Sequence, residues 1–190
     1  MFDAIHRLFN HPTLRKILVT SRVPLAIAAV ACVIWFMDRR WLLPGFLVSI
    51  FGEAIQLWCF ASLDKGRSLA CDGPYAVVRN PMYLGRYFII LGAVLLLGRW
   101  WPAALFTVVY YFYMVNRVRR EETYLHGVLG LPYTEYMQTV RRFLPGTPLP
   151  GHPVALWDWT LLRQNHGLQN LAGTLLFWLA AVLWLRYRPG

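Results

Sequence analysis

With 190 residues, 57% hydrophobic content, nine tryptophans and only 15% charged residues, the chain is too apolar for a water-soluble domain of its size and reads as a single integral membrane domain, 1–190. The formal net charge of +10 does not call for nucleic acid, because its distribution along the chain is that of a membrane-orientation signal. The three cysteines, Cys32, Cys59 and Cys71, have no CxxC spacing and no histidine cluster beside them, so neither a disulfide framework nor a metal site is supported.

Residues 1–16 interleave Phe2, Ile5, Leu8 and Phe9 with His6, Arg7, Arg15 and Lys16, a spacing that fits a short amphipathic segment on the inner leaflet, with disorder as the alternative. No small-residue cleavage pattern precedes Asp38-Arg39-Arg40, so this end is expected to be retained. Five apolar runs long enough to span a bilayer follow, at about 17–37, 41–63, 82–98, 101–115 and 168–185. Ser21 and Arg22 weaken the first, whose apolar core begins near Val23. Five spans put fourteen of the nineteen Lys and Arg residues on the side of the N-terminus and leave only Arg39, Arg40, Arg99, Arg186 and Arg188 on the other. The fold class expected is therefore an all-α polytopic bundle, multi-pass, with the N-terminus cytoplasmic and the C-terminus opposite.

The outward connections are tight hairpins, whereas the inward ones, 64–81 and 116–167, are long. The first contains GPYAVVRNPMYLG, 73–85. Gly73-Pro74 is a turn signal, and Asn80-Pro81 starts the third span with proline in its first turn. A helix N-terminus beside Arg79 suits an anionic group such as a carboxylate; the plainer alternative is an interfacial helix start with a snorkelling arginine.

The fourth span does not stop at the membrane surface but continues as a helix through NRVRREETYLHGVLG to a glycine at 127 or 130. Arg117 and Glu121 are four apart and Arg119 and Glu122 three apart, spacings that can support an exposed helix face as ion pairs. Adjacent acids point about 100° apart on a helix, so one pairs with arginines while the other faces a site, unless the whole face is simply solvated. LPYTEYMQTVRRFLP then reads as a second amphipathic helix up to Pro145, with Tyr133, Tyr136, Arg141 and Arg142 along it. Aromatic rings for a cation and guanidinium groups for carboxylates would together wall a small-molecule site.

GPYAVVRNPMYLG followed, after one helical hairpin, by RREETYLHGVLGLPYTEYMQTVRRFLP resembles the isoprenylcysteine carboxyl methyltransferases and their relatives among phospholipid methyltransferases. The resemblance covers about residues 66–145. It implies a membrane enzyme that uses S-adenosylmethionine, bound in a cytoplasmic pocket, to methylate a lipophilic acceptor: a prenylcysteine-like carboxylate, a phospholipid amine or a hydrophobic thiol. It also implies cofactor-binding roles for Arg79, Asn80, Pro81, Tyr83 and Gly85, and for Glu121 or Glu122 toward the cofactor's ammonium. Tyr133, Tyr136 and Arg141 or Arg142 would close the pocket or line the reaction centre. Where this chain has Asn80 the family usually carries histidine; asparagine does not titrate near neutrality, so the position is expected to bind rather than exchange protons.

Glu53 is the remaining anomaly, since an acid within a span is costly and marks a functional site by default. It is expected either to face the substrate as a base or headgroup contact, or to be a buried acid satisfied by Gln56 or a neighbouring helix. Gln169 and Asn170 are read as interfacial or interhelical hydrogen-bond formers. Two rival classes share these features: an NADPH-dependent sterol-type membrane reductase and a non-catalytic lipid-binding protein.

Overall fold

A computed structural model describes residues 11–64 and 69–188, and all regular structure among them is helical. The amphipathic reading of residues 1–16 lies largely outside the described residues. Helix α1 (Pro12–Thr20) and helix α2 (Arg22–Phe36) are separated at Ser21, so the first apolar run is not one continuous helix. The cause is Pro24, which has no N–H to give the Thr20 carbonyl and whose ring collides with it. The apolar helix therefore starts at Arg22, one residue before the expected Val23.

A 3₁₀ turn, Arg39–Trp41, is capped by the Asp38 carboxylate, which accepts from the Arg40 N–H at 2.9 Å, and leads into α3 (Leu42–Ser62). Helices α4 (Pro81–Leu95), α5 (Trp100–Leu129), α6 (Leu131–Thr139), α7 (Trp159–Gln164) and α8 (Gly167–Tyr187) complete the bundle. The 3₁₀ turn with α3, and α8, are long and apolar enough to cross a membrane, while α2 and α4 are shorter apolar helices.

The chain is patterned inside out. Helix α3 buries Gly45, Ser49, Gly52, Glu53 and Gln56 but exposes Leu43, Leu47 and Phe51, and α8 exposes Leu176, Leu179 and Leu183 in the same way. Small and polar residues facing other helices, with large apolar ones facing outward, is the arrangement a lipid surround favours. Gly45 and Gly52 of α3 meet Gly92 and Gly85 of α4 backbone to backbone: a Cβ on Gly52 would stand 2.5 Å from the Gly85 carbonyl oxygen. Across this seam Ser49 Oγ donates to the Ile89 carbonyl at 2.8 Å and Gln56 Nε2 to the Met82 carbonyl at 3.1 Å.

Helix α8 packs on another part of α3 through Glu53, which is 1% exposed. Its carboxylate accepts from Asn170 Nδ2 at 2.8 and 3.0 Å and from Thr174 Oγ1 at 2.7 Å. Gln56 does not reach it. Glu53 is thus satisfied by the neighbouring helix, and Asn170 is an interhelical hydrogen-bond former. Removing both amide bonds with Asn170→Leu leaves the acid short of donors in an apolar bundle, at a cost of about 1–3 kcal/mol. In detergent, Asn170→Leu is expected to melt several degrees below the parent and Glu53→Gln to lose less; equal melting temperatures for parent and Asn170→Leu would remove Glu53 as a tie between α3 and α8.

Helix α5 is 30 residues, about 45 Å at 1.5 Å per residue, and runs past any single bilayer core to end at Gly130, where φ is +63°. Its continuation beyond the apolar half is as the sequence reading has it. The following helix is shorter than expected: α6 stops at Thr139, and Val140 is extended at φ −99° and ψ 129°. From there the chain pairs with residues 73–79 instead of continuing a helix. Arg79 N–H donates to the Arg141 carbonyl (2.9 Å), Gly146 N–H to Val77 (3.0 Å), Leu149 N–H to Ala76 (2.8 Å), and Gly73 N–H to Pro153 (2.7 Å). Asn165, just after α7, closes the end of α3 by donating Nδ2 to the carbonyls of Phe60 (2.9 Å) and Leu63 (2.6 Å).

Candidate functional site

At the polar end of the bundle, the start of α4, the far end of α5 and helix α6 enclose a cavity of about 410 Å³, within the size range of small-molecule sites. Leu63, Leu69, Leu125 and Leu129 supply its apolar walls, and Tyr75, Tyr133 and Tyr136 its aromatic ones. Arg79, Asn80, Tyr83, Glu121 and Glu122 supply the polar groups.

Glu122 is the hub of those groups. It is 5% exposed and meets Arg142 Nη2 at 2.6 Å, Arg79 Nη2 at 3.5 Å and Asn80 Nδ2 at 3.4 Å. Three chain segments are thereby pinned together: the turn before α4, the outer part of α5, and the non-helical segment after α6. Asn80 Nδ2 also donates to the Arg142 carbonyl at 3.2 Å. Arg79 is held further by Nη1 donating to the Met137 carbonyl at 3.2 Å, yet its buried Nε has no partner among the described residues. A buried guanidinium N–H left unsatisfied at a cavity wall is a place for a ligand oxygen.

Glu121 points elsewhere, as adjacent residues on a helix must. It accepts from Arg117 Nε at 2.8 Å and from the Tyr83 hydroxyl at 2.8 Å. The Tyr83 hydroxyl is also the main influence raising Arg117 above its ordinary value, with Glu121 adding to it. Burial, with the Glu122 charge adding, pushes the Tyr133 hydroxyl up to about 12. Burial likewise raises Tyr136, whose hydroxyl donates to the Tyr75 carbonyl at 2.7 Å. These phenols are neutral at physiological pH and serve as walls and hydrogen-bond donors.

The structure brings seven of the sequence-selected residues to the cavity: Arg79, Asn80, Tyr83, Glu121, Glu122, Tyr133 and Tyr136. Arg142 stands behind Glu122, and of the two arginines it is the one engaged; Arg141 is exposed and contributes its backbone carbonyl. Pro81 opens α4 without lining the cavity, Gly85 serves the α3–α4 seam, and Glu53 lies within the α3–α8 contact. The sequence reading missed Tyr75, although it sits inside GPYAVVRNPMYLG, and Asp64, which also lines the cavity and pairs with no cation among the described residues. The signal for Tyr75 was its turn position next to Pro74; for Asp64 there was none. Among the described residues no group of three or more His, Cys, Asp or Glu is placed to hold a metal ion.

Three comparisons bear on this arrangement. A protein-S-isoprenylcysteine O-methyltransferase of Schizosaccharomyces pombe is 35% identical over 97 residues, which is 51% of this chain and 41% of that protein. Protein-S-isoprenylcysteine O-methyltransferase B of Arabidopsis thaliana is 26% identical over 156 residues, 70% of this chain and 78% of the relative. The chain thus spans less than half the length of the yeast relative and more than three quarters of the plant one. No solved structure matches it. A family model described as phospholipid methyltransferase matches residues 23–131, from the apolar part of α2 to the Gly130 turn, and so takes in the α3–α4 seam, the Asn80 turn and both acids of α5. With more than half of its length inside that match, the chain belongs to the phospholipid methyltransferase family.

Proposed function

We propose that the chain transfers a methyl group from S-adenosylmethionine to a lipophilic acceptor at the cytoplasmic face of a membrane, with the carboxylate of an S-isoprenylcysteine as the first acceptor to test. The names of the relatives support that choice of acceptor; a phospholipid amine and a hydrophobic thiol are the other two. In this reading α2, α3, α4, the apolar half of α5 and α8 are five spans, N-terminus inside, and the cavity opens on the cytoplasmic side. Helices α2 and α4 have 15 residues each, about 22 Å, and reach across by local thinning and by their flanking Arg and Trp residues.

The observation that carries the reading is the Arg79 guanidinium, fixed by Glu122 and Met137 while its buried Nε has no partner among the described residues. The donor set fits S-adenosylmethionine: Arg79 for the carboxylate, Glu121 or Asp64 for the ammonium, and tyrosine faces for the adenine and sulfonium. Glu122 is already neutralised by Arg79 and Arg142, so its task is to hold the arginines rather than to meet the ammonium. When bound, the cofactor supplies an electrophilic methyl group. The chain's own residues align the donor and exclude water, the two requirements of an in-line displacement, and no acid or base is needed to displace a neutral thioether.

Thermal protection in detergent tests this. A ligand that binds only the folded protein stabilises it by about 2.7 kcal/mol at one hundred times its dissociation constant, so S-adenosylmethionine and its demethylated product are each expected to raise the melting temperature by several degrees. Protection by NADPH with no effect of either compound would replace the proposal by the reductase reading.

A further inference from the structure

Arg86 has no place in the cavity, yet it lies in an apolar helix. It is the sixth residue of α4, about 7.5 Å along the axis from Pro81, and its side chain is exposed. Helical side chains lean toward the N-terminus, so the guanidinium doubles back over the preceding turn, with Cζ 5.8 Å from the centre of the Tyr83 ring. Arg117 is tied to the same tyrosine through Glu121, which takes the Arg117 Nε–H and the Tyr83 O–H at 2.8 Å each. Tyr83 is fixed from within, because the Tyr110 hydroxyl donates to its backbone carbonyl at 2.8 Å. Tyr83 and Glu121 line the cavity, while Arg86 and Arg117 adjoin those two residues without lining it.

The charges do not balance there. Glu121 offsets one of the two guanidinium groups, and among the described residues Arg86 makes no ion pair. An arginine within an apolar helix is costly unless its charge is answered. Two guanidinium groups about one aromatic ring at the lipid edge match the paired oxygens of a carboxylate or phosphate, and the ring holds Arg86 in place before anything binds.

We propose that Arg86 and Arg117 form a binding site for a lipid-borne anionic group, carboxylate or phosphate, at the membrane-facing edge of the cavity. The site rests on the membrane-spanning placement of α4 and α5 given above. It would hold either the carboxylate end of the acceptor beside the cofactor cavity or the headgroup of an anionic phospholipid.

Two measurements separate these sources. In zwitterionic nanodiscs, methyl transfer to an N-acetyl-S-isoprenylcysteine is followed for the parent, Arg86→Gln, Arg86→Lys and Arg117→Gln. If the acceptor carboxylate is the ligand, KM rises about tenfold in Arg86→Gln, the loss expected for one charge-assisted contact. The turnover number then changes far less, Arg86→Lys recovers part of the loss, and Arg117→Gln shifts the same way. In the second arm phosphatidylglycerol is introduced into the same discs without cofactor. If a phospholipid phosphate is the ligand, the melting temperature of the parent rises and that of Arg86→Gln does not. Arg86→Gln behaving as the parent in both arms overturns the site and leaves Arg86 as a snorkelling side chain. A parent that fails to bind either S-adenosylmethionine or its product sinks the proposed function instead, and the phosphatidylglycerol arm still decides the site.

Discussion

Glu122→Gln is expected to weaken S-adenosylmethionine binding by about a hundredfold or more and to lower the melting temperature of the ligand-free protein. Glu122 and Arg79 have side chains only 6% and 9% exposed, and breaking a buried pair by neutralising one partner costs about 3 kcal/mol, since the surviving charge is left uncompensated. The neutral amide also turns an N–H₂ toward one of the guanidinium groups or toward Asn80, each of which can only donate to it from where it stands. Arg79 and Arg142 then repel across the gap, and the turn before α4 loses its hold on the far end of α5. Glu121→Gln is a milder change: its pair with Arg117 is half-exposed at 38% and 46%, a setting in which such pairs contribute less than about 1 kcal/mol. Calorimetric titration of the demethylated cofactor product into both variants checks the order. Equal affinities for Glu122→Gln and the parent would mean the hub does not organise the cavity.

Gly92→Val is expected to unfold or splay the bundle with no change in the cavity's own residues. A Cβ at Gly92 already runs into the Gly45 carbonyl oxygen and the Ser49 hydroxyl, and Ser49 is itself tied to α4 through the Ile89 carbonyl. The neighbour that must yield is backbone, so relief requires α3 and α4 to move apart along the whole seam. Overpacking of this kind costs about 1–3 kcal/mol for a well-packed site, and more where backbone is the obstacle. Gly127→Ala is the matched control, because nothing stands within 4 Å of a Cβ there and alanine gains about 1 kcal/mol over glycine within a helix. Melting curves in one detergent should show the two substitutions moving in opposite directions. A Gly92→Val protein as stable as the parent would mean that the seam is not closely packed.

Much of the site was legible in the sequence because its signals are local. Asn80-Pro81 had to begin a helix, and the run RREET had to lie on a helix too long to end in the bilayer; both elements are in place. Adjacent acids on a helix must face different ways, and Glu121 and Glu122 do: one toward Arg117 and Tyr83, the other toward Arg79 and Arg142. What local reasoning left open was their tasks. The sequence offered either acid to an ammonium, while the fold answers Glu122 with two arginines from segments 43 positions earlier and 20 later in the chain (122 − 79 and 142 − 122).

The same limit explains α6 and Glu53. Residues 140–144 carry helix-compatible spacing, but backbone groups of the segment 141–149 find partners in residues 76–79, and no periodicity within the segment records that competition. Gln56, one turn from Glu53, was the nearest candidate partner by sequence; Asn170 and Thr174, more than a hundred positions away, are the actual ones.

By itself, the sequence determined that the chain is apolar enough for a membrane, that its structure is helical, where most helices start, and which two stretches carry the polar residues of the cavity. These follow from composition and from periods of three to four residues, which act within one helix. Which charges neutralise each other, which glycines close the helix seam, and which arginine sits over Tyr83 with no ion pair among the described residues were decided only by the tertiary structure. Hydrogen bonds and ion pairs act over about 3 Å in space, and the chain alone does not state which of its distant residues will be brought that close.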